Sequence, residues 1–381
     1  MCSLIAQDKN NGISILLPDL RGGGAERVAL NLANSFVRRG QSVDMVLLSA
    51  TGEFLPELDP RVRVIDLNVG RVRLAIIPLV RYLRHARPAA LLACMWPLTV
   101  IAVWARTLSR VPTRMVVAEH CAWSRSELLS RLTVGWQVRT SMHHFFPKAD
   151  AIVAVSQGAA DDLARFSGVD RNSISVIYNP VVGDAELQPT FFSDEPQGWC
   201  AGAHRRVLAV GTLKAIKDYA TMLNAFAVLR RRVDARLLLL GEGECRSALE
   251  AQAKALGIAD SVFMPGFVAN PSPYYQHADL LVLSSTSEGF GNVLVEALAT
   301  GTPVVSTDCP NGPREILADG KFGRLVQVGD VEALAGAMEE SLVSEHDRAA
   351  LMARAQDFSV DKAAKRYLEL LLPDLATRGA A

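Results

Sequence analysis

Cysteine is scarce and unpaired in this chain. The six cysteines are Cys2, Cys94, Cys121, Cys200, Cys245 and Cys309, and no two stand in C-x-x-C spacing. That excludes a zinc ribbon and a dithiol redox motif, and the scatter suits a reducing compartment. Net charge is lacking too: 40 Lys+Arg balance 40 Asp+Glu. A polycation that coats nucleic acid is thereby excluded, and no nucleic-acid partner is expected. The start, Met-Cys-Ser-Leu-Ile-Ala-Gln-Asp-Lys, has no basic segment leading into a long apolar one. It does not read as a signal peptide, and a cytoplasmic location is expected. No Asp-x-Asp pair occurs, so neither a metal nor another cofactor is expected.

Long hydrophobic runs are almost absent. Ala89 to Ala105 comes nearest, with 17 uncharged residues, at the lower limit for a membrane span. Pro97 and Thr99 interrupt it. Ala90–Met95 reads as a buried strand and Leu98–Leu108 as a helix, so the segment belongs to a core.

The apolar content is ample. Half of the 381 residues are hydrophobic, with 27 Gly and 18 Pro. That excludes a largely disordered chain and suggests two or three domains. The zero net charge hides an asymmetry: residues 1–180 carry +7 and residues 181–381 carry −7. A basic first half suits something negative, such as phosphate or an anionic membrane; uneven solvation is the plainer reading.

Strand-like runs alternate with helical ones. Ile13–Leu17 leads into a Gly-rich loop. A helix follows, whose apolar face is Val28, Ala29, Leu32, Ala33, Phe36 and Val37. Val43–Leu48, Val62–Leu67, Arg114–Ala118 and Ala151–Val155 continue the series. This is the βαβ signature of a parallel sheet covered on both faces. Residues 183–204, rich in Gly and Pro, read as a linker. Alternation then resumes with strands at Val207–Val210, Arg236–Leu240, Val262–Met264, Leu280–Ser284, Pro303–Ser306 and Leu325–Val328, and helices at 218–233 and 244–256. The expected domains are 1–182, 205–357 and a C-terminal helix within 358–381 that packs back on the first. The fold class is α/β, with two Rossmann-like doubly wound domains facing across a cleft.

Three loops could carry chemistry. The first is Ser284-Ser-Thr-Ser-Glu-Gly-Phe-Gly-Asn-Val-Leu-Val-Glu-Ala. It holds Glu288 in the loop and Glu296 eight residues on, in the following helix. A helix N-terminus near Gly291 favours a phosphate, and two carboxylates can accept hydrogen bonds from hydroxyls of a sugar or ribose. The second is Val210-Gly-Thr-Leu-Lys-Ala-Ile-Lys, where a Lys can neutralise a leaving diphosphate. The third is Arg21-Gly-Gly-Gly-Ala-Glu-Arg, a Gly-rich turn entering a helix. It is neither the dinucleotide fingerprint nor a P-loop.

The spacing from Glu288 to Glu296, in the setting Glu-Gly-Phe-Gly-Asn-Val-Leu-Val-Glu-Ala, resembles the retaining glycosyltransferases of the GT-B fold. The group is glycosyltransferase family 4, active in bacterial cell-surface polysaccharide assembly. The resemblance covers nearly the whole chain and is strongest from Val210 to Leu317.

It implies that Glu296 binds the ribose of a nucleotide and Glu288 the hydroxyls of the donor sugar. The backbone of Gly289, Phe290, Gly291, Asn292 and Val293 would lie against sugar and diphosphate. Lys217 matches the family's Lys. Thr212 stands where the family has Arg, and Lys214 could supply the missing charge. Gly23 and Gly24 would near the donor phosphates. His120 would contact the donor sugar, and Arg125 could bind an acceptor phosphate. The backbone at Gly266, Phe267 and Val268 would read the base. Asn179-Pro180 resembles the hinge. Glu288, His120 and Lys217 are thus the catalytic candidates.

The expected reaction moves a hexose or N-acetylhexosamine from a nucleotide-diphosphate sugar, UDP over GDP, to a lipid-diphosphate-linked glycan, with retention. The alternatives are a nucleotide-sugar epimerase of the same fold and a non-catalytic nucleotide-sugar-binding scaffold. The stretch Arg71–Arg87 reads as a basic helix with Leu74, Ile77 and Leu83 apolar. Such a helix could rest on the inner face of an anionic membrane, or simply be a solvated face.

Overall fold

The structure, a computed structural model, describes residues 12–125, 132–183, 199, 202 and 204–373. The chain divides into two compact units, 1–180 with 360–381, and 181–359. Residues 184–198, in the expected linker, lie outside the described residues. Its later part includes the buried Trp199, whose indole donates to the Val207 carbonyl in the second unit.

The first unit holds β1 (Ile13–Leu17), β2 (Val43–Leu47), β3 (Arg63–Asp66), β4 (Ala90–Cys94), β5 (Arg114–Glu119), β6 (Ala151–Ala154) and β7 (Ile174–Val176). All pair in parallel, in the order β3-β2-β1-β4-β5-β6-β7. β1, β2 and β4 are buried along their whole length, as expected where helices cover both faces. The helix Gly24–Arg38 supplies Val28, Leu32 and Phe36 to the core. The helix Val360–Leu371 returns to the same core with Ala363, Ala364, Tyr367 and Leu371. It is tied by an Arg39–Asp361 ion pair and by Arg114 Nε donating to the Leu370 carbonyl at 2.6 Å.

The second unit holds β8 (Arg205–Val210), β9 (Ala235–Leu240), β10 (Val262–Gly266), β11 (Leu280–Leu283), β12 (Val304–Thr307) and β13 (Arg324–Val326). Its order is β10-β9-β8-β11-β12-β13, also parallel. Leu237, Leu239, Val282 and Val305 meet Phe226, Leu229 and Met338 from the helices Tyr219–Arg230 and Val331–Val343.

One expectation is corrected and one strand was missed. The basic stretch 71–87 is not one helix but a 3-10 turn at Val72–Leu74 and an α-helix at Ile76–Ala86. Pro78 is the reason. In a helix begun at Arg71 its missing N–H would cost an interior hydrogen bond; in the first turn it costs none. β7, at the sheet edge, was not expected. With three residues it is too short to show a period.

Candidate active site

In doubly wound sheets, ligands gather at the C-terminal strand ends where the strand order reverses. In the second unit that point lies between β8 and β11. The loop after β8 carries Lys217, and the loop after β11 carries Glu288. Lys217 Nζ donates to Glu288 Oε1 at 2.6 Å, and Ser285 Oγ donates to the same oxygen at 2.6 Å. The two loops are stitched together: Thr286 N–H donates to the Ile216 carbonyl, and Ser284 Oγ to that of Lys217. Both partners are largely buried, with side chains 21% and 10% exposed. Burial, with Glu288 adding to it, pushes the Tyr219 hydroxyl pKa up; the same two causes push the Cys309 thiol up to about 12.

The helix Asn292–Ala299 starts in this same loop. Its N-cap Gly291 sits at φ +103°, a conformation that favours glycine. Asn292 and Val293 open the first turn, half-buried. Glu296 is the helix's fifth residue and accepts from the Tyr275 hydroxyl at 2.5 Å on Oε2. The Tyr275 pKa is pushed far up, chiefly by burial and then by Glu296. Phe290 points into the core, edge-on to Phe358, so only its backbone can serve a ligand. That backbone is pressed by the following loop. A Cβ on Gly312 would lie 1.8 Å from the Phe290 carbonyl oxygen.

Sequence reasoning missed Gly241-Glu242-Gly243 after β9. A Cβ on Gly241 would lie 2.0 Å from the Gly211 oxygen, and one on Gly243 2.4 Å from the Leu213 oxygen. The loop after β9 thus rests directly on the loop after β8. Gly266 joins this stack: its carbonyl accepts from Gly241 N–H at 2.9 Å, and a Cβ on it would meet the Glu242 carboxylate. The available signal was a Gly-x-Gly directly after the run Leu237–Leu240. Thr212 and Lys214 are exposed on the β8 loop, Phe267 is 45% exposed, and Val268 is half-buried.

In the first unit the order reverses between β1 and β4. Gly23 caps the helix Gly24–Arg38, as the Gly-rich turn implied. The cap is not bare, however. Glu26 folds back so far that a Cβ on Gly23 would lie 2.1 Å from its Oε2. The helix N-terminus expected to cradle a phosphate therefore holds a carboxylate, whose pKa is raised chiefly by burial. After β5, burial lowers the His120 pKa to about 4, so its ring is neutral at pH 7. Both ring nitrogens are shielded from water and have no hydrogen-bond partner. Its neighbour Glu119 is buried, accepts from Thr99 Oγ1 at 2.8 Å, and has its pKa raised to about 7 by burial. Arg125 ends a short turn, Trp123–Arg125; its side chain lies outside the described part. Among the described residues no group of His, Cys, Asp and Glu is placed to hold a metal ion.

Two family models match the chain. Glycosyl transferases group 1 covers residues 201–358, and Glycosyltransferase Family 4 covers residues 22–183. The chain belongs to the family 4 glycosyltransferases. One relative is an N-acetylgalactosamine-N,N'-diacetylbacillosaminyl-diphospho-undecaprenol 4-alpha-N-acetylgalactosaminyltransferase of Campylobacter jejuni. It is 31% identical over 235 residues, which span 60% of this chain and 61% of that one. The lipopolysaccharide core biosynthesis glycosyltransferase LpsE of Rhizobium meliloti is 27% identical over 92% of this chain and 96% of its own. Among solved structures, Anabaena HepE in complex with UDP and glucose superposes with a TM-score of 0.77. It is 21% identical and covers 95% of this chain and 99% of its own. This glycosyltransferase shares the GT-B fold with it. The Lys217–Glu288 pair lies within the part matched by the group 1 model, and Gly23 and His120 lie within the part matched by the family 4 model.

Proposed function

We propose that this glycosyltransferase moves a hexose or N-acetylhexosamine from a nucleotide-diphosphate sugar, UDP in preference to GDP, to a hydroxyl of a lipid-diphosphate-linked glycan. The product retains the donor's anomeric configuration and enters a cell-surface polysaccharide. The observation that carries this reading is the Lys217–Glu288 pair at the β8/β11 switch point, with the helix N-terminus at Gly291 in the same loop. A diphosphate leaving group needs positive charge that is already positioned, and these two features supply it. As the bond from the sugar to phosphate breaks, the departing phosphate takes the acceptor's proton while the acceptor oxygen bonds to the sugar. That route needs no protein base and no metal.

Glu296 would receive the ribose hydroxyls, Glu288 the sugar hydroxyls, and the Gly266–Val268 backbone the base. His120 would meet the donor sugar, and Arg125 an acceptor phosphate. The printed names of the relatives support the acceptor class: one acts on a diphospho-undecaprenol sugar, another in lipopolysaccharide core biosynthesis. No helix among the described residues is long and apolar enough to cross a membrane. We place the enzyme peripherally, on the inner face of the cytoplasmic membrane.

A melting panel with UDP-, GDP- and ADP-sugars tests the donor. Ligand at a hundred times its Kd stabilises by about 2.7 kcal/mol. UDP-sugars should raise the melting temperature of the wild type and leave Glu296→Ala unmoved. A panel with no shift would sink the donor assignment. A changed sugar with donor alone would mark an epimerase, an inverted product would remove retention, and loss of transfer in chelator would remove the metal-free route.

A further inference from the structure

Between Asp66 and Glu119 the chain has eight arginines and not one acidic residue. The structure gathers this stretch into a layer. The helix Leu98–Ser109 packs against both Ile76–Ala86 and Leu132–Phe145. Arg84 Nη2 donates to the Leu108 carbonyl at 3.0 Å, and the Trp104 and Phe145 rings lie 6.2 Å apart. None of the three helices contains Asp or Glu.

Their outward positions are unusual for a face that meets only water. Ile77 is 60% exposed, Trp104 46%, Leu108 45% and Trp136 68%. Arg81, Arg84, Arg110 and Arg139 are exposed among them. Among the described residues, Arg81, Arg110 and Arg139 make no ion pair. A helix face solvated by water alone mixes both signs of charge and shows few bulky apolar groups.

We propose that this three-helix face docks on an anionic lipid bilayer. Bulky aliphatic and indole side chains enter the headgroup boundary, and the arginines meet lipid phosphates. A nucleic-acid surface would use the arginines but leave Ile77 and Leu108 without a partner. The proposal rests on the lipid-linked acceptor argued above and names the surface that brings the enzyme to it.

The test is co-sedimentation of the intact protein with two kinds of vesicle, half phosphatidylglycerol in phosphatidylcholine and phosphatidylcholine alone, at low and high salt. The wild type should bind the anionic vesicles at low salt and lose most of that binding at high salt. Each basic residue near such a surface contributes about a fivefold gain in affinity, so Arg81→Glu with Arg110→Glu should weaken binding by at least about 25-fold. Trp104→Ser with Trp136→Ser should weaken binding even at low salt. Melting with UDP-sugar checks the fold and the donor site of each variant and should match the wild type. Single Arg81→Glu serves if the double variant melts early.

Equal binding to both vesicles, no binding to either, or variants that bind like wild type would overturn the proposal. So would preference for a single-stranded RNA over the anionic vesicles. Vesicle binding without any nucleotide-dependent melting shift would keep this surface and discard the proposed donor.

Discussion

The Lys217 ammonium and the Glu288 carboxylate, 71 residues apart in sequence, are 2.6 Å apart in the fold. Each looked like a ligand group of its own: a cation for the diphosphate and an acceptor for sugar hydroxyls. In the fold they satisfy one another. In the proposed donor site a diphosphate would compete with Glu288 for Lys217.

Lys217→Met should separate the roles of this pair. It removes the point charge, so kcat should fall by about a hundredfold or more. It also leaves a largely buried carboxylate with only Ser285 to bond, at a cost of roughly 1–3 kcal/mol. Lys217→Met with Glu288→Gln should recover most of the stability and none of the turnover. Steady-state kinetics and thermal melting of the three proteins check this. Equal recovery of both would make the pair merely structural.

Tyr275→Phe tests the second acidic residue. The hydroxyl at 2.5 Å holds Glu296 in one orientation. Without it the carboxylate keeps its charge but loses one of the contacts that aim it. Nucleotide affinity should weaken by about tenfold, in line with one hydrogen bond to a charged group. Glu296→Ala should weaken it further. Calorimetric titration with UDP reads both, and an unchanged Kd in Tyr275→Phe would refute the positioning role.

Two glycine substitutions should differ sharply although both meet close contacts. At Gly312 the obstacle is the Phe290 backbone, and φ is +95°. Neither can yield, so Gly312→Ala should cost about 2–4 kcal/mol and distort the loop that carries Gly291. At Gly23 the obstacle is the tip of the Glu26 side chain, with φ at −114°. That carboxylate can swing away, so Gly23→Ala should cost under about 1 kcal/mol. Chemical denaturation of both variants decides it.

The parallel sheets were legible because fully buried strands such as Ile13–Leu17 and Ala90–Cys94 stand out as apolar runs between helices with a 3.6-residue period. Lys217, Glu288 and Glu296 were legible as residue types in their loops. Their partners were not. Ser285 lies three residues before Glu288, but a serine in a Ser/Thr-rich loop announces no particular partner, and Tyr275 meets Glu296 from a separate helix, 21 residues away. The β9 loop was missed because Gly241 and Gly243 act by what they lack, which lets two loops touch. Glu26 could have been foreseen: an acid three residues past a helix cap is placed to fold back on it.

Glu119 should give the protein a pH-dependent stability that one substitution removes. Burial raises its pKa to about 7, above the ordinary value near 4.5. The folded state then holds a proton that the unfolded chain has released, so stability falls as pH rises between those two values. Its contribution is complete below about pH 4.5 and gone above about pH 7. His120 runs the opposite way. Its pKa is lowered to about 4 by burial, so it costs stability as pH falls from about 6.5 towards 4. The two slopes oppose each other in the wild type and flatten its profile. Glu119→Gln keeps the shape and a partner for Thr99 but cannot ionise. It should melt above the wild type at pH 8, and the unopposed His120 slope should make its stability rise from pH 5 to pH 6.5. Melting curves across that range check the sign. A variant whose profile parallels the wild type throughout would show that Glu119 is ionised in the folded protein at neutral pH.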